Sequence, residues 1–215
     1  LGDAGRALKV RLEENLRLQE QLEQQAFHDH LTGLYNRRHA STVIPPVISS
    51  ASEEAPVSLI VLDLDYFKQV NDRYGHDVGD KVLSSFASIL SDSLHGSELA
   101  FRHGGEEFLV VLPATTRDQA LERCARWRHE LATHTIVELK GVALSFSAGI
   151  ALAPQAGTSL TECTKAADVA LYRAKISGRN TDIVWGEHLD GIAGDGPAES
   201  GHAGDRRARR GRASL

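Results

Sequence analysis

The sequence predicts an α+β domain with a central, mostly antiparallel sheet flanked by helices and preceded by a coiled-coil helix. Three observations lead there. Short apolar runs alternate with amphipathic helical segments, in the order strand, helices, hairpin, helix, strand, helix, strand. A Gly-Gly pair, Gly104-Gly105, separates two strand-like runs, which is a hairpin signal because glycine supplies the positive φ of a tight turn. A heptad pattern opens the chain.

Residues 1–26 are rich in Leu, Gln, Glu and Arg. Leu1, Leu8, Asn15 and Leu22 recur every seven residues, and Leu12, Gln19 and Ala26 form an imperfect second row. This pattern predicts the seam of a two-stranded coiled coil, with Asn15 as a register-fixing polar position; the alternative is a solvated amphipathic helix packing on its own domain. Residues 27–36, Phe-His-Asp-His-Leu-Thr-Gly-Leu-Tyr-Asn, break that helix with Gly and polar turn formers. A helix is expected from Arg37 towards Ser52, bent or divided by Pro45 and Pro46. Val57 to Leu62 is an apolar run bounded by Pro56 and Asp63, a strand buried on both faces. A short helix from Phe67 and a longer one from Gly79 to Ser93 follow. Glu98–Arg102 and Glu107–Leu112 are the two hairpin strands. Residues 117–134 form an amphipathic helix with Ala120, Leu121, Cys124, Trp127 and Leu131 on one side. Val142–Ala153 is a strand, Leu160–Ile176 a helix stopped by Ser177-Gly178, and Thr181–Trp185 a last short strand.

From Gly186 the composition shifts to Gly, Ala, Asp and Arg, which predicts a disordered tail over 186–215. The expected organisation is therefore a signalling helix at 1–26, a catalytic domain at 27–185 and the tail. A chain of 215 residues with 41% hydrophobic and 25% charged residues can build one ordinary core. Its formal charge of -5 is too mild to imply a nucleic-acid partner. The two cysteines, Cys124 and Cys163, have no partner at metal-ligand spacing and are expected as buried thiols. No apolar run reaches the ~20 residues of a membrane span, and no signal peptide is visible. The chain has no Met and begins at Leu1, which suggests a piece of a longer protein with a sensor or anchor upstream.

The chemistry concentrates in two places. Asp63-Leu64-Asp65 closes the buried strand, where ligands gather in such folds. Alternation points Asp63 and Asp65 to one face, and paired carboxylates need protonation, a cation partner or a metal. Mg²⁺ is the natural remedy, since it is hard and is shared between carboxylates and phosphates. At the hairpin, Gly104-Gly105 permits close backbone approach to a ligand, and Glu106-Glu107 adds two carboxylates. Lys68, Lys175 and Arg179 supply cations. Carboxylates holding metals with cations around them are what nucleotidyl transfer requires.

Phe101-Arg102-His103-Gly104-Gly105-Glu106-Glu107-Phe108 resembles the signature of the GGDEF-family diguanylate cyclases in its Glu-Glu form. Asp29-His30-Leu31-Thr32-Gly33-Leu34-Tyr35-Asn36-Arg37-Arg38 resembles the family's opening turn. Asp63-Leu64-Asp65-Tyr66-Phe67-Lys68-Gln69-Val70-Asn71-Asp72, with Gly75-His76 and Gly79-Asp80, resembles its nucleotide segment. Ala167-Asp168, Tyr172 and Ala174-Lys175 through Ser177-Gly178-Arg179-Asn180 resemble its closing helix. These stretches span about residues 26–185 in order.

The resemblance implies a nucleotidyl-cyclase, palm-like fold with a ferredoxin-like core. It also implies condensation of two GTP into cyclic di-GMP by a homodimer joined through its N-terminal helix. Asp63, the Leu64 carbonyl, Glu106 and Glu107 would hold metal, Mg²⁺ or Mn²⁺, two per active site. Lys68 would stabilise the transition state, with Glu106 and Glu107 at the catalytic centre. Asn71 and Asp80 would read guanine, and His76, Phe67, Gly104 and Gly105 would line the pocket. Lys175 and Arg179 would hold the triphosphate. The catalytic domain would be cytoplasmic. His103 stands where the family usually has an aromatic residue. Many members also carry Arg-X-X-Asp ending five residues before the Gly pair and bind product there; His95-Gly96-Ser97-Glu98 occupies that stretch here. The resemblance thus implies escape from product inhibition through that site. The competing reading is a non-catalytic receptor for GTP or cyclic di-GMP.

Overall fold

The computed structural model describes residues 3–186. The first helix, α1, spans Asp3–Phe27. A two-residue strand β1 (Tyr35–Asn36) and helix α2 (Arg37–Ser49) follow, then β2 (Val57–Leu64), α3 (Phe67–Tyr74) and α4 (His76–Asp92). The hairpin is β3 (Leu99–Gly104) and β4 (Glu107–Leu112). The remainder is α5 (Arg117–Thr133), β5 (Phe146–Ala153), α6 (Leu160–Ile176) and β6 (Asp182–Val184). The six strands form one sheet in the order β1-β3-β4-β2-β5-β6. The inner pairings β3–β4, β4–β2 and β2–β5 are antiparallel, whereas β1–β3 and β5–β6 at the edges are parallel. The sheet is thus mostly antiparallel, as the sequence predicts, with one short parallel pairing at each edge.

Strand alternation sorts the core into two layers. Ile60, Leu62 and Leu64 of β2 and Phe108, Val110 and Leu112 of β4 face one side, against Val82, Phe86 and Leu90 of α4 and Cys124, Trp127 and Leu131 of α5. Val57, Leu59 and Val61 of β2 and Leu109 and Val111 of β4 face the other, against Ala40, Ile44 and Ile48 of α2 and Cys163, Ala167 and Leu171 of α6. Every residue of β2 is buried, so its continuous apolar run is what a two-sided central strand demands. Each large apolar side chain so buried contributes about 1.5–3 kcal/mol. Helix α6 lies directly on β5 because position 149 is glycine. A Cβ there would stand 2.0 Å from the Ala167 carbonyl oxygen and 2.3 Å from the Leu171 nitrogen.

Local signals fix the helix ends. Asn36 caps α2 by accepting from the His39 N–H, and Ser159 with Glu162 forms a capping box on α6. The Asn36 amide also donates to the Ala26 carbonyl at 2.9 Å, which ties the last turn of α1 to the start of α2. Gly75, at φ 87°, breaks the chain between α3 and α4.

Three sequence expectations are corrected. Helix α2 runs through Pro45 and Pro46 as one element, so the prolines do not divide it. The prolines deprive the Ser41 and Thr42 carbonyls of their helical donors; both residues are solvent-exposed, and buried Ile44 and Ile48 hold the helix down. The strand expected from Val142 begins only at Phe146, where pairing with Leu64 of β2 begins. Before it lie a 3₁₀ turn at Val137–Leu139 and left-handed backbone at Lys140 and Gly141. Strand β1, read as turn in the sequence, pairs Tyr35 with Phe101. Among the described residues no helix is long and apolar enough to cross a membrane. The tail from 187 onward lies outside the described residues.

Candidate active site

Asp63 continues the odd-numbered series of β2, so its side chain faces α6. It is 7% exposed and lies directly opposite Glu107 of β4 and Ser147 of β5. The next residue, Leu64, donates its N–H to the Glu106 carbonyl at 3.3 Å. The hairpin thus brings Asp63, Leu64, Glu106 and Glu107 to one end of the sheet. Lys175 reaches the same point from the last turn of α6, its Nζ 2.8 Å from Asp63 Oδ2. Gly105 takes φ 53°, and a Cβ on Gly104 or Gly105 would meet nothing within 4 Å, so the turn presents bare backbone to open space.

The electrostatics of this cluster follow from crowding. Burial raises the Asp63 carboxyl above the usual carboxylate range, with Glu107 and Asp65 adding to the rise and Lys175 opposing it. Burial likewise raises Glu106, helped by Asp63 and Glu107 and resisted by Lys175. The acidic groups exceed the cations that balance them. Carboxylates and a main-chain carbonyl are hard oxygen donors, so the set fits Mg²⁺ or Mn²⁺ in chemical type. No three His, Cys, Asp or Glu side chains among the described residues are already gathered as a coordination group. Lys175 supplies the counter-charge to Asp63.

Asp65 has a different task from the one its spacing suggests. Its carboxylate accepts from the Ser145 and Ser147 hydroxyls at 2.8 and 2.7 Å and from the Asn180 N–H at 2.9 Å. These bonds satisfy it within the protein, so it braces the turn after α6 beside the site. Arg179 in that turn places its guanidinium over the Tyr66 ring, with Cζ 4.9 Å from the centroid.

The proposed base-reading residues gather on α3 and α4. Phe67 is buried and Asn71 half-buried, whereas Lys68, His76 and Asp80 are exposed. His76 and Asp80 stand four residues apart and share one face of α4. Asn71 Oδ1 occupies the space over Gly79: a Cβ at that glycine would stand only 1.9 Å from it. Gly79 therefore admits the Asn71 amide against α4, next to Asp80.

His103 is half-buried behind Glu107 and Asp168. Burial lowers its pKa, as does the neighbouring Arg37, while Glu107 and Asp168 oppose them. Its Nδ1 is buried without a hydrogen-bond partner. His95 and Glu98 lie before the start of β3, at its far end from the hairpin. Arg123 of α5 takes both Glu98 oxygens, Nη2 at 2.7 Å and Nη1 at 3.2 Å, and Glu98 also accepts from the His95 N–H at 2.9 Å.

Several residues brace the fold and the site through contacts that no local sequence pattern announces. Arg102 donates Nε and Nη2 to the Gly105 carbonyl at 3.1 and 2.9 Å, and Nη1 to Asp29 Oδ1 at 3.0 Å. Arg123, Tyr66 and Asp65 likewise act through partners far away in sequence.

A model of the family described as diguanylate cyclase, GGDEF domain, matches residues 26–181. Diguanylate cyclase DgcM of Escherichia coli (strain K12) is 41% identical over 169 residues, covering 78% of this chain and 40% of that protein. The coiled coil and GGDEF domain of DgcB from Caulobacter crescentus, solved in complex with c-di-GMP, superposes with a TM-score of 0.74 at 28% identity. The match covers 85% of this chain and 98% of that one. The active GGEEF domain of a diguanylate cyclase from Vibrio cholerae gives a TM-score of 0.67 at 30% identity, covering 72% of this chain and 99% of that one. The chain spans about two fifths of the length of the curated relatives it matches.

Proposed function

The chain belongs to the GGDEF family of diguanylate cyclases, and we propose that it condenses two GTP molecules into cyclic di-GMP, releasing two pyrophosphates. The observation that carries this is the register of β2 on β4, which sets Asp63 directly opposite Glu107 while Leu64 bonds to Glu106 across the turn.

Asp63, the Leu64 carbonyl, Glu106 and Glu107 would hold two Mg²⁺ or Mn²⁺ ions, which supply charge neutralisation of the triphosphate and a lower pKa for the attacking 3′-hydroxyl. Lys68 on the first turn of α3 meets the charge that develops on the phosphates. Lys175 and Arg179 bind the triphosphate from the end of α6. Asn71 offers a donor and an acceptor to the guanine edge, and Asp80 accepts from the base N–H groups. Phe67 and His76 wall the base pocket, and the bare backbone of Gly104 and Gly105 lets substrate lie close to the hairpin. Residues 27–185 form the catalytic domain in this reading.

One domain offers one such site and the product holds two GMP units, so two domains face each other across a two-fold axis. The seam of α1 is suited to join them. Feedback through the stretch before β3 is lost, because His95 stands where the resemblance places an arginine and Glu98 is taken up by Arg123.

Incubation with GTP and Mg²⁺, with the product identified by chromatography, tests the reading. Cyclic di-GMP is expected from the parent chain. Glu107→Gln should keep the fold and lose at least ~100-fold in rate, the scale of one electrostatic stabiliser. Tight binding of GTP or cyclic di-GMP without turnover would instead favour a receptor.

A further inference from the structure

Two turns with unusual backbone meet beside the site. Tyr66, between β2 and α3, has φ 58° and ψ 22°. Arg179 and Asn180, after α6, have φ 64° and 49°. Left-handed backbone is uncommon for residues other than glycine and persists where surrounding contacts hold it. Here those contacts join the two turns. The Asn180 N–H donates to Asp65 Oδ2 at 2.9 Å, and Asp65 is itself only 6% exposed and held by Ser145 and Ser147. The Arg179 N–H donates to the Ala174 carbonyl at 3.1 Å, closing the helix end. One residue on from Asp65, Tyr66 places its ring under the Arg179 guanidinium, with Cζ 4.9 Å from the centroid. That is within the ~6 Å reach of a cation–π contact. The Tyr66 side chain is 55% exposed, so core packing does not account for a ring at this position.

We infer that Tyr66 is a positioning residue: its ring holds the Arg179 guanidinium ready for the triphosphate while Asp65 holds the backbone beneath it. This rests on the triphosphate-binding role proposed above for Arg179. A ring contact of this kind uses none of the guanidinium's hydrogen-bonding capacity on an acceptor, so its N–H donors stay available to phosphate oxygens. An arginine held in this way loses less side-chain freedom when ligand arrives. The need is sharpened at this site because Lys175, the other cation proposed to hold the triphosphate, already faces Asp63.

Three variants separate the ring from its bulk and from the backbone. Tyr66→Ala, Tyr66→Leu and Tyr66→Phe all keep a non-glycine residue in the left-handed turn. Binding of a non-hydrolysable GTP analogue is measured by calorimetry and turnover by steady-state kinetics. Ala and Leu should weaken analogue binding and raise KM about 3- to 10-fold, with kcat changed less than about twofold, and Phe should restore most of the loss. In an Arg179→Ala background, Tyr66→Ala should add nothing further. A Leu variant that binds like the Phe variant overturns the inference, as does a full additional loss in the Arg179→Ala background. A parent chain that leaves GTP unchanged overturns the proposed function instead. The clamp is then decided by the Arg179 Nε–H resonance, which differs between Tyr66→Leu and Tyr66→Phe if the ring holds the guanidinium and coincides if it does not.

Discussion

Arg102 joins Asp29 to the hairpin turn: one Nη1 lies 3.0 Å from Asp29 Oδ1 while Nε and Nη2 donate to the Gly105 carbonyl. Asp29 also accepts from the Thr32 N–H and hydroxyl at 2.9 and 2.7 Å, which closes the turn leaving α1. A continuous polar path therefore runs from the end of the first helix to the backbone between Gly104 and Glu106. Both partners are largely buried, with side-chain exposures of 14% and 18%, so the pair is screened little by solvent.

Acid stability should report on this contact. Burial works to raise the Asp29 carboxyl, but Thr32 and the Arg102 guanidinium together hold it below the usual carboxylate range. A depressed folded pKa gives stabilisation that is present above the unfolded value of ~3.9 and lost as pH falls through the folded value. Asp29→Asn should therefore cost about 1.5–3 kcal/mol at pH 7 and progressively less below about pH 4. Chemical denaturation of parent and variant from pH 7 to pH 3 checks the sign: a gap that does not narrow on acidification counts against the assignment. Arg102→Ala should match that loss and also lower activity, since it frees the Gly105 carbonyl.

The catalytic end of the sheet was legible and the braces around it were not, for one physical reason. Alternation along β2 and the Gly-Gly hairpin are local patterns, and they suffice to bring Asp63 beside Glu107. The Asp29–Arg102 pair joins residues 73 positions apart, and no local pattern announces it. The same holds for Tyr66 with Arg179 and for Glu98 with Arg123. Asp65 shows the hazard of reading spacing alone. Alternation places it on the Asp63 face, but three donors, from Ser145 just before β5, Ser147 within it and Asn180 in the turn after α6, make it a brace. Strand β1 leaves no sequence signal because two residues are too few to show a period, and Val142 reads as strand because its alternation continues beyond any partner strand.

Gly79 offers a test in which helix propensity and function pull apart. Alanine in place of glycine within a helix ordinarily stabilises by about 1 kcal/mol. Here the added Cβ would meet Asn71 Oδ1 at 1.9 Å and Phe67 Cζ at 3.2 Å, so the Asn71 amide must swing away and the Phe67 ring give by a few tenths of an ångström. Gly79→Ala is expected to fold with near-parent stability yet raise KM for GTP roughly tenfold, the scale of two lost hydrogen bonds. Adding Asn71→Ala should then cost little more. An unchanged KM in Gly79→Ala would remove Asn71 from base recognition.

The first helix carries the dimer prediction. Leu8, Leu12 and Leu16 are 71%, 58% and 53% exposed on an isolated α1, which leaves apolar surface suited to a second copy. A parallel coiled coil over residues 5–26 would raise the local concentration of one domain near the other to about millimolar. Removing residues 1–25 should make the rate per enzyme rise with protein concentration, while the parent chain holds a constant specific activity over the same range. Constant specific activity of the truncated chain across micromolar dilutions would count against assembly through this helix.

The last prediction concerns feedback at the far end of β3. A cyclic dinucleotide bound there needs a fixed cation for its phosphates, and arginine offers a planar, permanently charged fork that also stacks on guanine. His95 is exposed and offers at most two donors. The acid of the pair is no freer: Glu98 is spanned by both Arg123 nitrogens and accepts from the His95 N–H, and Arg123 is further bonded to the Ser93 carbonyl at 2.7 Å. Ligand would have to break that ion pair, whose side chains are only 12% and 16% exposed, and would gain no arginine in return. Loss of charge-assisted contacts worth about 1.5–3 kcal/mol each weakens binding by roughly 10- to 150-fold. With the active site blocked by a GTP analogue, calorimetry should therefore find no sub-micromolar cyclic di-GMP site, and tight binding abolished by His95→Ala would sink the idea. The converse design is more demanding. His95→Arg with Glu98→Asp supplies the fork and shortens the acid, so that Arg123 loses its two-oxygen grip and the carboxylate can turn to the ligand. Non-competitive inhibition by product is expected in that double variant and not in the parent. Its absence would show that the Arg123 contact, rather than the missing arginine, closes the site, and Arg123→Ala added to the double variant would then restore inhibition.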